Sequence, residues 1–149
     1  MKNEALRELL DQYADAELTD LSINRFCLRC AQSVSQNLES EQAIECLKEF
    51  ETWIEAGCPS NDDLLALRER IGVIARSHPG SSSIDGTRHA AVSATHTLAA
   101  AINSQALDAA AYAAYSTVYG YGGYALSDPS SFQDIHRQQC QWLKSLLRN

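Results

Sequence analysis

Two cysteines three residues apart, Cys27 and Cys30, form the only CxxC pattern in the chain. A zinc site needs four converging ligands, and neither a second CxxC nor a histidine lies within twenty residues of the pair. A thioredoxin-like redox pair needs a strand–helix junction that lowers the pKa of one thiol, whereas these two lie in the middle of a predicted helix. The spacing therefore predicts two thiols packed in a core and no metal site.

The histidines and the last cysteine supply a second set of reactive groups. His89 and His96 are seven residues apart, which differs from HExxH, where a four-residue offset brings both imidazoles to one ion. Asp134, His136 and Cys140 lie within two turns of one predicted helix and point in different directions, so they do not predict a catalytic triad. The chain also contains no GxSxG, P-loop or GxGxxG sequence. We therefore expect no catalytic residue and no cofactor.

Carboxylates recur every four residues along one predicted helix, at Glu41, Glu45 and Glu49, and Asp62 and Asp63 begin the next. Like charges at this spacing repel by a few tenths of a kcal/mol per pair. Such a run is usually a solvated face. The competing interpretation is a docking surface for a cationic protein, whose binding relieves the repulsion.

Tyrosine is concentrated in one segment, where five of the six lie between residues 112 and 124. Tyr112, Tyr115 and Tyr119 share one helix face. Aromatic residues at this spacing usually belong to a core, but tyrosine also favours interfaces because it combines apolar area with a polar tip. We predict that Tyr115 or Tyr119, if exposed, is the short-range anchor of a partner.

Length and charge restrict the class of protein further. A chain of 149 residues with 45% hydrophobic side chains fits a single domain, 1–149, with a substantial core. The net charge of −7 opposes binding to nucleic acid or to an anionic membrane. Residues 1–78 hold 15 acidic and 8 basic side chains, whereas residues 79–149 hold four of each. This asymmetry leaves a basic protein as the expected partner.

The cysteine count and the first residues predict the compartment. Five cysteines is an odd number, and Glu4 and Glu8 stand where a signal peptide requires an apolar stretch. No segment is hydrophobic enough to remain in lipid. We therefore expect free thiols in the cytoplasm and no membrane span.

Apolar residues recur at intervals of three and four almost everywhere, which predicts an all-α bundle of about seven helices. The second predicted helix runs from 20 to 38. A serine-rich linker, 79–84, separates the acidic half (1–78) from a half rich in Ala and Tyr (84–149). The predicted N-caps are Thr19, Ser40, Ser60, Asp85, Ser104 and Asp128.

Alanine fills the fifth and sixth predicted helices, which are joined by a short turn at Asn103–Ser104. Small side chains allow two helix axes to approach closely. These two helices are therefore predicted to form an antiparallel pair at the packed centre of the domain.

Three stretches of the second half carry a resemblance through their alanine spacing and their His, Arg and aromatic positions: RHAAVSATHTLAAAI, ALDAAAYAAYSTVYGYGGYAL and HRQQCQWLKSLL. Over residues 88–147 the chain resembles the α-helical immunity proteins encoded beside bacterial polymorphic toxins. The resemblance implies a cytoplasmic antitoxin without enzymatic activity, which binds and blocks one cognate toxin. The family offers no catalytic motif to transfer.

We therefore expect an immunity protein that neutralises a toxin with a basic surface and uses no metal or cofactor. The predicted partner-binding residues are Glu41, Glu45, Glu49, Asp62, Asp63, Tyr115 and Tyr119. Two alternatives remain open: a helical adaptor without a toxin partner, and a small metal- or thiol-dependent enzyme. The reactive groups of that enzyme would be Cys27, Cys30, His89 and His96.

Overall fold

The computed structural model describes residues 3–14, 19–77, 87–121, 125 and 128–147. Within these ranges the chain forms seven α-helices, with a 3-10 helix at Ser35–Asn37, and no β-strand, which confirms the predicted all-α bundle. The α-helices are α1 (Glu4–Tyr13), α2 (Asp20–Ser33), α3 (Glu41–Glu55), α4 (Asn61–Ser77), α5 (Thr87–Ile102), α6 (Ala106–Tyr121) and α7 (Ser130–Leu147). The predicted linker 79–84 and the predicted cap at Asp85 lie outside the described residues.

Local hydrogen bonds form the predicted N-caps of four helices. The hydroxyl oxygens of Thr19, Ser40 and Ser60 each accept a hydrogen bond from the backbone N–H three residues further on, at 3.0–3.3 Å. The Asp128 carboxylate accepts hydrogen bonds from the hydroxyl and the backbone N–H of Ser130, and these bonds lower the pKa of Asp128. These four predicted caps are confirmed.

The end of the second helix differs from the predicted 20–38. α2 ends at Ser33, whose hydroxyl donates to the Cys30 carbonyl at 2.6 Å, and a 3-10 helix follows at Ser35–Asn37. The Asn37 side chain donates to the Ser116 hydroxyl at 3.0 Å, which ties this turn to α6. Because serine and asparagine compete with the helical backbone for hydrogen bonds, the helix stops where they cluster.

The turn between α5 and α6 shows that the predicted cap at Ser104 was wrong. Ser104 has a φ of 59°, and the N–H groups of Ser104 and Gln105 bond back to carbonyl groups in the last turn of α5. This is a Schellman ending, in which the left-handed residue terminates the preceding helix. The Ser104 hydroxyl donates instead to the side-chain oxygen of Asn24 in α2, at 2.9 Å. The Ser104 hydroxyl thus takes part in a tertiary contact and does not cap α6.

The α5–α6 pair lies at the packed centre, as predicted. α5 also packs against α2, α3 and α4, and α6 packs against α2 and α7. Ten alanines of the pair are at most 8% exposed: Ala90, Ala91, Ala94, Ala100, Ala101, Ala106, Ala109, Ala110, Ala113 and Ala114. Because these side chains are small, the other helices can surround the pair and bury it on most sides.

Candidate functional site

A groove runs along the outer side of α3 and α4, which pack against each other. It consists of two cavities of about 500 and 550 Å³ that share Ala66 and Arg70. Both helices contribute apolar side chains and charged side chains to it. The residues that define this α3–α4 groove are Glu45, Lys48, Glu49, Trp53, Asp63, Ala66, Leu67, Glu69, Arg70, Val73 and Ile74.

The apolar part of the groove is held in place by Trp53 of α3. The Trp53 indole is only 7% exposed, and its Nε1 donates to the Ser60 carbonyl at 2.9 Å. Its ring also stacks near Phe50, with 6.3 Å between the centroids. The indole therefore forms a fixed wall of the groove rather than a mobile side chain.

Carboxylates outnumber cations along the groove. Glu45, Glu49 and Asp63, which the sequence predicted as binding residues, line it together with Glu69. The predicted residues Glu41 and Asp62 are exposed on the first turns of α3 and α4. The structure thus places three of the five predicted carboxylates in the groove and leaves the other two outside it.

The Arg70 guanidinium crosses the groove and forms an ion pair with Glu49. Arg70 and Glu49 are 45% and 51% exposed, and their hydrogen bond raises the pKa of Arg70, which stays cationic. A pair this exposed contributes only about 0–1 kcal/mol to stability. The Glu49–Arg70 pair can therefore be broken at a small cost in free energy.

Val73 and the Glu49–Arg70 pair are features of the groove that the sequence did not predict. Val73 is 53% exposed and lines one of the two cavities. The helical spacing of apolar residues in α4 predicted a buried stripe, and Val73 is not part of it. The stripe consists of Leu64, Leu67, Ile71 and Ile74. The ion pair depends on the relative register of two helices, which local spacing does not specify.

The predicted tyrosine anchors lie on another surface. The Tyr115 ring meets Phe132 of α7 edge-on, with 5.5 Å between centroids, and the Tyr119 ring stacks on His89 at 4.8 Å. Both tyrosines are partly buried, and α6 packs mainly against α2, α5 and α7. The structure therefore does not bring Tyr115 and Tyr119 together with the acidic residues of α3 and α4.

Ring stacking accounts for the spacing of the two histidines of α5. His89 stacks on Tyr119, and His96 stacks on Tyr112 with 5.2 Å between centroids. The seven-residue interval on α5 thus matches a seven-residue interval on the antiparallel α6. Among the residues that the structure describes, no three His, Cys, Asp or Glu side chains are grouped so that they could hold a metal ion.

All five cysteines are free thiols. Cys27 and Cys30 are fully buried in the core, as predicted for the CxxC pair. Burial raises the pKa of Cys27 to about 12 and that of Cys30 well above its usual value. Burial also raises the pKa of Cys46 and Cys140, while Cys58 is partly exposed. Because thiolates react and thiols do not, Cys27 and Cys30 lack the properties of catalytic nucleophiles.

Alkylation of the native protein with iodoacetamide is expected to modify Cys58 alone. Cys27, Cys30 and Cys46 are fully buried and Cys140 is only 9% exposed, and burial raises the pKa of all four. These four thiols should therefore react at least about 100-fold more slowly, mainly through opening of the structure. Intact mass spectrometry should show one adduct on the native protein and five after unfolding. A Cys58→Ser variant should show none under native conditions, and fast labelling of a second cysteine would contradict this burial pattern.

None of the described helices combines the length and the apolar character required to cross a bilayer. Comparison of the chain with protein-family models, with curated proteins and with solved structures finds no match.

Proposed function

We propose that this chain is an immunity protein, which acts in the cytoplasm by binding a bacterial toxin with a basic surface and blocking it. The proposal is supported by the resemblance of residues 88–147 to immunity proteins. The observation that carries it is the α3–α4 groove, in which an excess of carboxylates and several apolar side chains line one surface. In this proposal the chain acts by occupying its partner and performs no reaction.

The groove suits a cationic protein segment in both its charge and its apolar surface. Lysine or arginine side chains of the partner would approach Glu45, Glu49 and Asp63, where carboxylates are exposed. Apolar side chains of the same segment would cover Val73 and the edge of Trp53. Acidic residues at such a surface accelerate association, whereas a desolvated apolar contact lengthens the lifetime of the complex.

The Glu49–Arg70 pair offers a specific exchange on binding. A cation of the toxin would replace Arg70 as the partner of Glu49, and Arg70 would turn outward. The exposed ion pair costs little to break, and the mutual repulsion of the neighbouring carboxylates is relieved by the incoming charge. The incoming cation therefore favours binding, because it offsets the excess of carboxylates in the groove.

The direct test uses the gene next to the one encoding this chain. The proposal expects the gene directly upstream to encode a toxin-like protein with a basic C-terminal domain. That domain, expressed alone in a bacterium, should stop growth, and coexpression of this chain should restore it. The two purified proteins should form a stable complex. A neighbour without such a domain, or a domain that neither binds this chain nor is neutralised by it, would refute the proposal.

Charge reversal locates the binding surface. The double variant Glu45→Lys/Glu49→Lys is expected to associate with this toxin domain on the order of tenfold more slowly at low salt, because steering by acidic residues accelerates encounter. The salt dependence of the association rate should also become weaker, since charges are screened beyond about 8 Å at physiological ionic strength. Stopped-flow fluorescence measures both quantities.

The matched control is Glu8→Lys/Asp11→Lys on α1, where both residues are exposed. It changes the net charge by the same amount on a helix that packs against α7, away from the groove. The control should change the rate much less than the groove variant, and both should melt within a few degrees of the wild type. Equal rates for the two variants would show that the acidic face of α3 and α4 is only solvated.

A further inference from the structure

A separate cavity of about 740 Å³ lies between α2 and α4, beside the turn that joins α5 to α6. Asp20 and Asn24 line it from α2, Leu64 and Arg68 from α4, and Ser104 from the turn. Both helices pack against α5 and leave this space between them. Its volume falls within the range of about 300–1,000 Å³ found for small-molecule sites.

A buried amide with spare hydrogen-bonding capacity lies at the back of this cavity. The Asn24 side chain is 6% exposed, and its oxygen accepts from the Ser104 hydroxyl at 2.9 Å. Its nitrogen donates to the Cys58 sulfur at 3.9 Å, and a thiol is a weak acceptor. An amide nitrogen has two N–H groups, and no described residue accepts the second one. A ligand oxygen would satisfy this donor.

Two opposite charges line the same cavity without pairing. The Nε of Arg68 donates to the Ile102 carbonyl at 3.0 Å, which fixes the guanidinium at the end of α5. The two terminal amino groups of Arg68 form no hydrogen bond or ion pair with the described part of the chain. The Asp20 carboxylate likewise has no cationic partner there. The cavity thus presents an anion-binding group and a cation-binding group that remain available to a ligand.

We propose that this cavity binds a small zwitterion with an aliphatic side chain, that is, a free α-amino acid or a short peptide. Its carboxylate would contact the terminal amino groups of Arg68 and the free N–H of Asn24, since guanidinium and amide donors suit a carboxylate. Its ammonium group would pair with Asp20. Its side chain would lie against the leucines of the cavity wall: Leu21, Leu64 and Leu65. The proposal is independent of the toxin-binding function.

Cys58 is a natural reporter for this test, because it lines the cavity and is partly exposed. The probes are leucine and leucyl-leucine, which carry the same chemistry at two separations of ammonium and carboxylate. The controls are 4-methylpentanoate, which lacks the ammonium group, and 3-methylbutylamine, which lacks the carboxylate. The rate of Cys58 alkylation by iodoacetamide is measured with each compound, together with the melting temperature.

At about 10 mM, a ligand with a dissociation constant of about 1 mM leaves roughly one tenth of the protein free. Leucine or leucyl-leucine is therefore expected to slow the alkylation of Cys58 about tenfold and to raise the melting temperature. The compound that slows the alkylation more identifies the separation of ammonium and carboxylate that fits the cavity. The two control compounds should change the rate less than twofold. If neither zwitterion slows alkylation, or if a control compound protects equally well, the proposal is overturned.

Two variants test whether the charges of Asp20 and Arg68 are responsible for the protection of Cys58. Asp20→Asn and Arg68→Gln should each reduce the protection by the zwitterion at least about fivefold. The matched control is Glu69→Gln, which removes a charge from the neighbouring position of α4 outside this cavity and should keep full protection. Asp20→Asn retains the Thr19 cap of α2 and so leaves the fold intact even if Arg68→Gln weakens it. Undiminished protection of the Asp20→Asn variant would place the ligand elsewhere and refute the site.

Discussion

Replacing Ala94 or Ala110 with leucine is expected to lower the free energy of unfolding by about 1–3 kcal/mol for each substitution. Ala94 is 1% exposed and Ala110 is fully buried, in the two helices that form the centre of the bundle. A leucine at either position needs space that only separation of α5 and α6 or displacement of a neighbouring helix can supply. For a domain of this size, each kcal/mol lowers the melting temperature by about 2–4 °C.

The matched control is Ala66→Leu, which makes the same chemical change at an exposed position within α4. Because surface substitutions usually change stability by no more than about 0.5 kcal/mol, this variant should melt close to the wild type. Thermal and urea unfolding followed by circular dichroism provide the comparison. If both core variants were as stable as the control, α5 and α6 could not be closely packed.

Replacing Gln139 with leucine is expected to lower the free energy of unfolding by about 2–3 kcal/mol, because it leaves buried polar groups without a hydrogen-bond partner. Gln139 is fully buried in α7, and its nitrogen donates to the Ala110 carbonyl at 2.9 Å. Its oxygen accepts from the Asn3 side chain at 3.0 Å. Asn3 in turn accepts from the N–H of Leu6 and so caps α1. One buried amide pair therefore joins α1, α6 and α7.

A double-mutant cycle tests whether these amides act as a unit. Asn3→Ala and Gln139→Leu should each destabilise the protein, and the double variant should lose at least about 1 kcal/mol less than the sum. The control is Gln138→Leu, an exposed position next to Gln139 on the same helix. It should be nearly neutral. Strict additivity of the two core substitutions would show that the amides contribute separately.

The start of a helix was predictable where one side chain and the next turn decide it. Thr19, Ser40, Ser60 and Asp128 cap their helices in the structure as the sequence predicted, because the donor lies only two or three residues away. Ser104 shows the limit of this reasoning. The Ser104 hydroxyl was predicted to cap α6, but it donates a hydrogen bond to Asn24, which lies 80 residues earlier in the chain.

The candidate site was predictable only in part. The carboxylates of α3 were evident from their four-residue spacing, since helical periodicity places them on one exposed face. The groove also depends on Arg70 and Val73, which enter it through the packing of α4 on α3. The spacing of Tyr115 and Tyr119 placed both on one helix face, which could have been an interface. In the structure their rings instead pack against Phe132 of α7 and His89 of α5.

The sequence alone determined the all-α class, four helix starts, the alanine-rich centre and the burial of Cys27 and Cys30. These properties follow from interactions within a few residues and from the periodicity of apolar side chains. Only the tertiary structure decided that His89 meets Tyr119, that Gln139 joins three helices and that Asn24 and Ser104 line one cavity. These contacts depend on the register and the order of packing of helices distant in the chain. The free energy that selects one register is summed over many contacts across the bundle, so no local pattern contains it.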